Sequence, residues 1–403
     1  MGKGDKNDDE LGCKKYGVPL YGAAWLPTTA PAAASVEEDK AAEPGTPASI
    51  SRYVVLAGGG GEGHSGIPNA LLISSFDFES ASLSDEPVAK LGTGSDLPYR
   101  IAVHPGGEGL ICSFPKSCKW FEWDSTTGKD EHTLNLKSSE KTLVQLEDVG
   151  QQLAMTFSSE GNLLAVGGEV LSQDGKLRVF KWPSMENTLD EANAHASVKD
   201  LDFSPDGKFL VSVGSGPARI WNVSTSTSVA SLPRQNDEIF GFCRFSRSSD
   251  TDQVLYITAM RDKGGCIIKW NTSSWKSISS AHVSRDPISA FNVSPDGKLL
   301  AVGTIQGDIL ILSSASMRIH SVVKKAHLGL VTTLAFSLDS KFGLGIYIAR
   351  FECKGDFGQG EEKRRNELVD HHFDHLISDS RVLCYNQRSS SSEVVILQWS
   401  YGV

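Results

Sequence analysis

Short apolar, β-branched runs alternate with tight polar turns along most of the chain. Two copies of one unit stand out, Leu201 to Leu210 (Leu-Asp-Phe-Ser-Pro-Asp-Gly-Lys-Phe-Leu) and Phe291 to Leu300 (Phe-Asn-Val-Ser-Pro-Asp-Gly-Lys-Leu-Leu). Each reads as strand, turn, strand. Proline presets φ, aspartate caps its own turn, and glycine accepts positive φ. Weaker copies sit around Val103-His104, Phe157-Ser158, Phe245-Ser246 and Phe336-Ser337. Anchors at 104, 157, 203, 245, 293 and 336 recur at intervals of 42 to 53 residues, close to the ~40–50 residue period of propeller blades. Several copies run on into a strand ending in tryptophan, at Trp123, Trp182, Trp221 and Trp270. Ala194-His195 and Ala326-His327 precede their Phe-Ser anchors as the WD-repeat pattern places its histidine. With Tyr21 to Pro27 as the first strand of one further blade, the chain carries seven blade starts.

The pattern therefore predicts an all-β, seven-bladed WD-repeat-type propeller over residues 16–342. One four-stranded blade cannot bury both its faces, so blades stack radially and most Trp and Phe side chains become core between them. Residues 1–15 read as a disordered lead. Residues 28–49, rich in Ala, Pro, Glu and Thr, read as a flexible insertion. After Phe342 the pattern breaks, which leaves the last blade incomplete and 343–403 a divergent, irregular tail. Within it only Val394 to Trp399 has strand character, a candidate for the missing blade strand.

One stretch does not serve the repeat. Tyr53 to Ala57 enters a loop of six glycines (Gly58, Gly59, Gly60, Gly61, Gly63 and Gly66), and a second apolar run leaves it after Ile67-Pro68-Asn69. Ordering such a loop is entropically costly, which suggests that its backbone has a task. Gly61 to Gly66 is a literal G-x-G-x-x-G, with Asp85 and Glu86 about 20 residues on. A dinucleotide site would need a helix to follow, whereas Ala70 to Phe76 reads as a strand. No Gly-Lys-Ser/Thr makes a phosphate loop. Val88-Ala89-Lys90 and Asp356-Phe357-Gly358 echo a protein kinase without its catalytic loop. What remains is binding by backbone, with carbonyls turned toward a cation or amides toward an anion, or a plain surface hairpin.

Composition narrows this further. A net charge of −10 with pI near 5.5 argues against a broad nucleic-acid surface. Seven scattered cysteines without C-x-x-C suit a reducing compartment. No window is apolar enough for a membrane-spanning helix. His371, His372, Asp374 and His375 offer metal-ligand types at helical spacing, but nothing completes a coordination sphere. No Ser-His-Asp arrangement follows from spacing.

Tyr16 to Trp25 followed by Ala57 to Asn69 resembles the Sec-twelve family, propeller-type guanine-nucleotide exchange factors of the endoplasmic reticulum membrane. Ser95 to Pro105 looks like the plant Sec-twelve-like protein two branch in particular. The resemblance implies an exchange factor without covalent chemistry of its own. Its partner would be a Sar-type small GTPase, its setting the start of COPII vesicle formation and endoplasmic reticulum-to-Golgi transport. It also implies a potassium ion held by backbone carbonyls of Gly61, Glu62, Gly63, His64, Ser65 and Gly66. Ile67, Pro68 and Asn69 would form the working tip that disturbs the GTPase's nucleotide site. The location implied is the cytosolic face of the endoplasmic reticulum, although family members end in a transmembrane helix that this chain lacks. A non-catalytic WD-repeat trafficking adaptor, assisting exit of membrane cargo, is the alternative.

Overall fold

A computed structural model describes residues 14–27, 53–61, 66–124, 135–141, 143–146, 151–169, 175–235, 237–247, 253–261, 264–326, 329–348 and 392–398. The expected insertion at 28–49 and the His371–His375 cluster lie outside the described residues. Apart from one 3-10 turn at Val144–Leu146, every described element is a β-strand. The strands form an all-β WD-type propeller of six blades and a partial seventh. The innermost strands touch in a closed cycle: Leu20–Trp25, Ile101–Val103, Gln151–Phe157, Val198–Phe203, Ile239–Phe245, Ile288–Val293, Val331–Phe336, and back to Leu20–Trp25.

Second strands such as Phe209–Gly214 and Leu299–Thr304 are buried on both faces, so they read as continuous apolar runs. The turns behave as their residues dictate. Ser204 Oγ donates to Asp206 Oδ1 (2.6 Å), which also accepts from the Lys208 N–H (3.2 Å), with Gly207 at φ 68°. Ser294, Asp296, Lys298 and Gly297 repeat this network in the sixth blade. The four strand-ending tryptophans are all buried, as expected of inter-blade core.

Blades are joined by hydrogen bonds as well as packing. Asp200 accepts from the Cys243 N–H (2.9 Å) and from Arg244, and Asp202 accepts from the Phe245 N–H (2.7 Å). These carboxylates stitch the fourth blade to the fifth. The ring closes where Trp25 Nε1 donates to the Ala335 carbonyl (3.4 Å) and Thr332 Oγ1 to the Leu20 carbonyl (3.2 Å). Trp25, Phe76, Phe78 and Phe342 form an aromatic cluster at this junction, with Phe76 and Phe342 centroids 5.1 Å apart.

The seventh sheet departs from the expected boundaries. The strand that begins at Phe342 continues to Ile348, and residues 392–398 pair antiparallel with it from Phe342–Gln398 to Ile348–Ser392. Lys14 and Lys15, expected in the lead, pair with Val394 and Glu393 as a two-residue outer strand. Membership of the ring thus runs past residue 342 and begins before residue 16. The blade takes its third strand from far along the chain, at the stretch whose strand character made it the candidate for that place.

The fourth blade holds a buried relay. Trp221 Nε1 donates to Ser212 Oγ (2.9 Å), Ser212 Oγ lies 2.9 Å from His195 Nε2, and His195 Nδ1 lies 3.3 Å from the Ser215 carbonyl. A carbonyl only accepts, so Nδ1 carries the proton and Nε2 receives the Ser212 hydroxyl. Burial depresses the imidazole pKa to about 4, against 6.5 when exposed. The neutral ring is the native form, so its stabilisation is complete above pH 6.5 and is lost as pH falls toward 4. Urea unfolding at about pH 7.5 and pH 4.5 should differ by roughly 2–3 kcal/mol through this residue. In His195→Gln the pH-dependent difference should shrink by that amount; an unchanged difference would refute the assignment.

Candidate functional site

The glycine loop connects the second and third strands of the first blade, Tyr53–Gly58 and Asn69–Asp77. No helix follows it, which removes the dinucleotide reading. Both legs of the loop are braced. On the entering leg, the Gly59 N–H donates to the Pro19 carbonyl (2.8 Å). A Cβ on Gly58 would come within 1.9 Å of that same carbonyl oxygen, so only glycine fits. Gly59, at φ 148°, lies against Asn69, where an added Cβ would meet Oδ1 at 2.3 Å.

On the returning leg Asn69 does the bracing. Its side chain is 3% exposed. Oδ1 accepts from the Gly61 N–H (2.9 Å), while Nδ2 donates to the Gly61 carbonyl (3.2 Å) and the Gly94 carbonyl (3.0 Å). One amide thereby ties the two legs together and fastens both to the outer strand Ala89–Gly94. That strand end is held in turn, because Thr93 Oγ1 donates to the Asp96 carbonyl (2.6 Å) and Lys119 of the second blade pairs with the Asp96 carboxylate (2.7 Å).

The three residues expected at the tip therefore separate. Asn69 sits at the buried base with both amide protons engaged inside the protein. Ile67 is half-buried and packs on the core cluster containing Val18, Leu20, Val54 and Leu56. Pro68 is exposed, as is Gly66. Glu62, Gly63, His64 and Ser65 lie outside the described residues. Sequence reasoning missed Pro19 and Gly94 as braces. It singled out Asn69 but gave it an outward role, although an amide that both donates and accepts, placed where a loop rejoins a strand, is a signal for bridging backbone.

The donors available to a cation can be judged from this geometry. Among the described residues no group of three or more His, Cys, Asp or Glu could hold a metal ion. The loop offers backbone carbonyls instead, donors that suit a hard, weakly held cation. The Gly61 carbonyl keeps a lone pair beyond its bond to Asn69. Gly61 (φ 82°) and Gly66 (φ 74°) both adopt left-handed backbone, which turns the adjoining peptide planes out of the strand pattern. These features fit such an ion without requiring any side chain.

Other reactive groups stay inside the fold. Cys112, Cys118, Cys243 and Cys266 are free and buried, and burial raises their thiol pKa values, that of Cys118 to about 12. They are packing residues, not nucleophiles. Lys14 and Asp85 form an ion pair beside the first blade, where Tyr16 Oη donates to the Ser84 carbonyl (2.8 Å). No helix among the described residues is long and apolar enough to cross a membrane.

Comparison with known proteins agrees with this architecture. The WD domain, G-beta repeat model matches residues 186–222, the stretch containing the His195–Ser212–Trp221 relay. The chain is 47% identical to SEC12-like protein 2 of Arabidopsis thaliana, over 86% of this chain and 88% of that protein. SEC12-like protein 1 of the same plant is 37% identical over 65% of this chain and 64% of its own length. A rat protein named guanine nucleotide-exchange factor SEC12 is 26% identical, covering 70% of this chain and 78% of its own. With a WD-type ring, a braced glycine loop on its first blade and this extent of identity, the chain belongs to the SEC12-like protein family.

Proposed function

We propose that this protein is a guanine-nucleotide exchange factor for a Sar-type small GTPase, and that it starts COPII vesicle formation at the cytosolic face of the endoplasmic reticulum. The observation that carries the reading is the braced loop itself, in a family with relatives named as exchange factors. An exchange factor needs no covalent chemistry. It must bind the nucleotide-free GTPase more tightly than the loaded one, and the difference in affinity drives release. A loop already fixed at its base loses little conformational entropy when it engages, so more of the contact energy remains for that difference.

The residues divide accordingly. Exposed Pro68 is the contact residue, its ring fixing the backbone that meets the partner. Ile67 forms an apolar shoulder, half seated on the core. Asn69 is a positioning residue acting through the loop. A potassium ion held by carbonyls between Gly61 and Gly66 would supply further stiffness to the segment.

Release of a fluorescent guanine nucleotide from a purified Sar-type GTPase tests this reading. The full chain should accelerate release, and Pro68→Ala should reduce the acceleration about tenfold, equivalent to ~1.4 kcal/mol, with unchanged thermal unfolding. No acceleration by the unaltered chain would refute the function. An undiminished rate in Pro68→Ala would refute the contact role.

A further inference from the structure

The outermost strand of a blade offers unpaired N–H and C=O groups to solvent, and proteins guard such edges with charge, proline or shortness. The edges of this ring are guarded unequally. The third blade's outer strand, Glu186–His195, carries Glu186, Asp190 and Glu191. Ala89–Gly94 and Asn135–Ser138 each carry a lysine, and Lys14–Lys15 is two residues long. The outer strands of the fourth, fifth and sixth blades, Thr227–Leu232, Ser277–Ser284 and Ile319–Val323, contain no Asp, Glu, Lys, Arg or Pro.

Ser277–Ser284 is the longest of these three, at eight residues, with bulges at Ile278 and Val283 where its pairing with Gly264–Asn271 shifts register. Val283 anchors it in the core between the fifth and sixth blades, while Ile278 remains 53% exposed. Among the described residues no strand pairs with its outer side. The segment is bracketed by Lys276 and Arg285, both exposed and neither ion-paired among the described residues. Asp286, which follows Arg285, is half-buried, and its N–H donates to Ser284 Oγ (3.0 Å).

These observations select the occupant. Antiparallel pairing of two copies of this edge would set Lys276 beside Arg285 of the other copy at both ends, and like charges facing each other across a strand pair repel. A strand with carboxylates at both ends meets a cation at each, in either direction. We propose that the outer strand of the fifth blade is a docking edge for an extended, acidic-ended segment of a partner protein, added as a fifth strand of that blade. Between the two bulges the regular stretch Ser279 to His282 gives a contact of about 14 Å, with main-chain hydrogen bonds supplying affinity and the charges beyond each end supplying selection. The glycine loop stands on the first blade, which neighbours only the second and seventh, so a segment docked on the fifth leaves the loop uncovered.

The probe is a fluorescein-labelled peptide of alternating Val and Thr with Glu-Glu at each end, titrated against the full chain by anisotropy. It should bind, and a peptide with Lys-Lys ends should bind about tenfold more weakly or less. The double variant Lys276→Glu/Arg285→Glu should reverse that order. Ile278→Lys, a guard charge on the exposed face, should abolish binding of the Glu-ended peptide without lowering thermal stability. N-methylation at alternate residues of the peptide should also abolish binding, because it removes the donors strand addition uses. Equal affinity for both peptides, or full affinity after N-methylation, would overturn the proposal. So would a concentration-dependent dimer in sedimentation that Ile278→Lys dissolves. Binding to phosphatidylserine vesicles that the Glu-ended peptide displaces would equally overturn it. Nucleotide release is unaffected by these variants if the loop works independently, which separates failure here from failure of the exchange reading.

Discussion

Asn69→Ala is expected to silence nucleotide exchange even though the side chain faces inward. The substitution deletes three hydrogen bonds and leaves the Gly61 N–H and the Gly94 carbonyl without their partner at a buried site. Each lost bond of this kind costs about 1 kcal/mol net, and more where the remaining group stays dry. A global destabilisation of roughly 1–3 kcal/mol follows, because a surface loop can admit water. The local effect is larger, since both legs of the loop lose the amide that joins them. Proteolysis at the glycines should accelerate, and exchange should fall by about two orders of magnitude.

Asn69→Asp discriminates between positioning and contact. The carboxylate is isosteric and still accepts from the Gly61 N–H. Its second oxygen, however, would face two carbonyl oxygens where the amide donated two protons. The aspartate variant should therefore be at least as impaired as alanine, in protease resistance as well as exchange. If Asp retained normal protease resistance while exchange was lost, Asn69 would be a contact residue after all.

The second large effect concerns the seventh blade. Removing residues 349–403 should cost a sizeable share of the ~5–15 kcal/mol that typically holds a domain folded. The strand Phe342–Ile348 would keep Val331–Phe336 but lose its outer partner along its entire length, Lys14–Lys15 would lose theirs, and Leu344 and Ile346, now buried, would lie on an open edge. Differential scanning calorimetry should show a fall in Tm of at least about 10 °C, with aggregation through the exposed edge. A Tm within a few degrees of the full chain would show that the pairing by residues 392–398 contributes little.

Legibility in the sequence followed the range of each interaction. The Ser-Pro-Asp-Gly turns at 204–207 and 294–297 were readable because the bonds that shape them, from Ser to Asp and from the Lys N–H to Asp, lie within a few residues. Trp221 and Trp270 were readable as inter-blade core because the repeat places them. The glycine loop was readable as a feature but not as a mechanism. Its braces come from Pro19, just ahead of the preceding strand, and Gly94, 25 residues beyond Asn69. Nothing local marks either. The last blade was legible only in part: Val394 to Trp399 stood out as a candidate strand, but its pairing and the blade's bounds did not. The polar run between Ile348 and Ser392 hides the register of 392–398 with Phe342–Ile348, and a two-residue strand such as Lys14–Lys15 carries no periodicity at all.

That last sheet also sets an order on biosynthesis. Its four strands are drawn from both extremes of the described sequence, so the ring stays open while the first six blades emerge from the ribosome. At roughly 5–20 residues per second, the aromatic face at Trp25 and Phe76 waits on the order of tens of seconds for Phe342, and the edge of Phe342–Ile348 waits longer for residues 392–398. During that interval the nascent chain shows both an uncovered apolar face and an unpaired strand, the features that chaperones bind. The yield of this protein in a cell should depend on holdase supply more steeply than its folded stability alone would suggest.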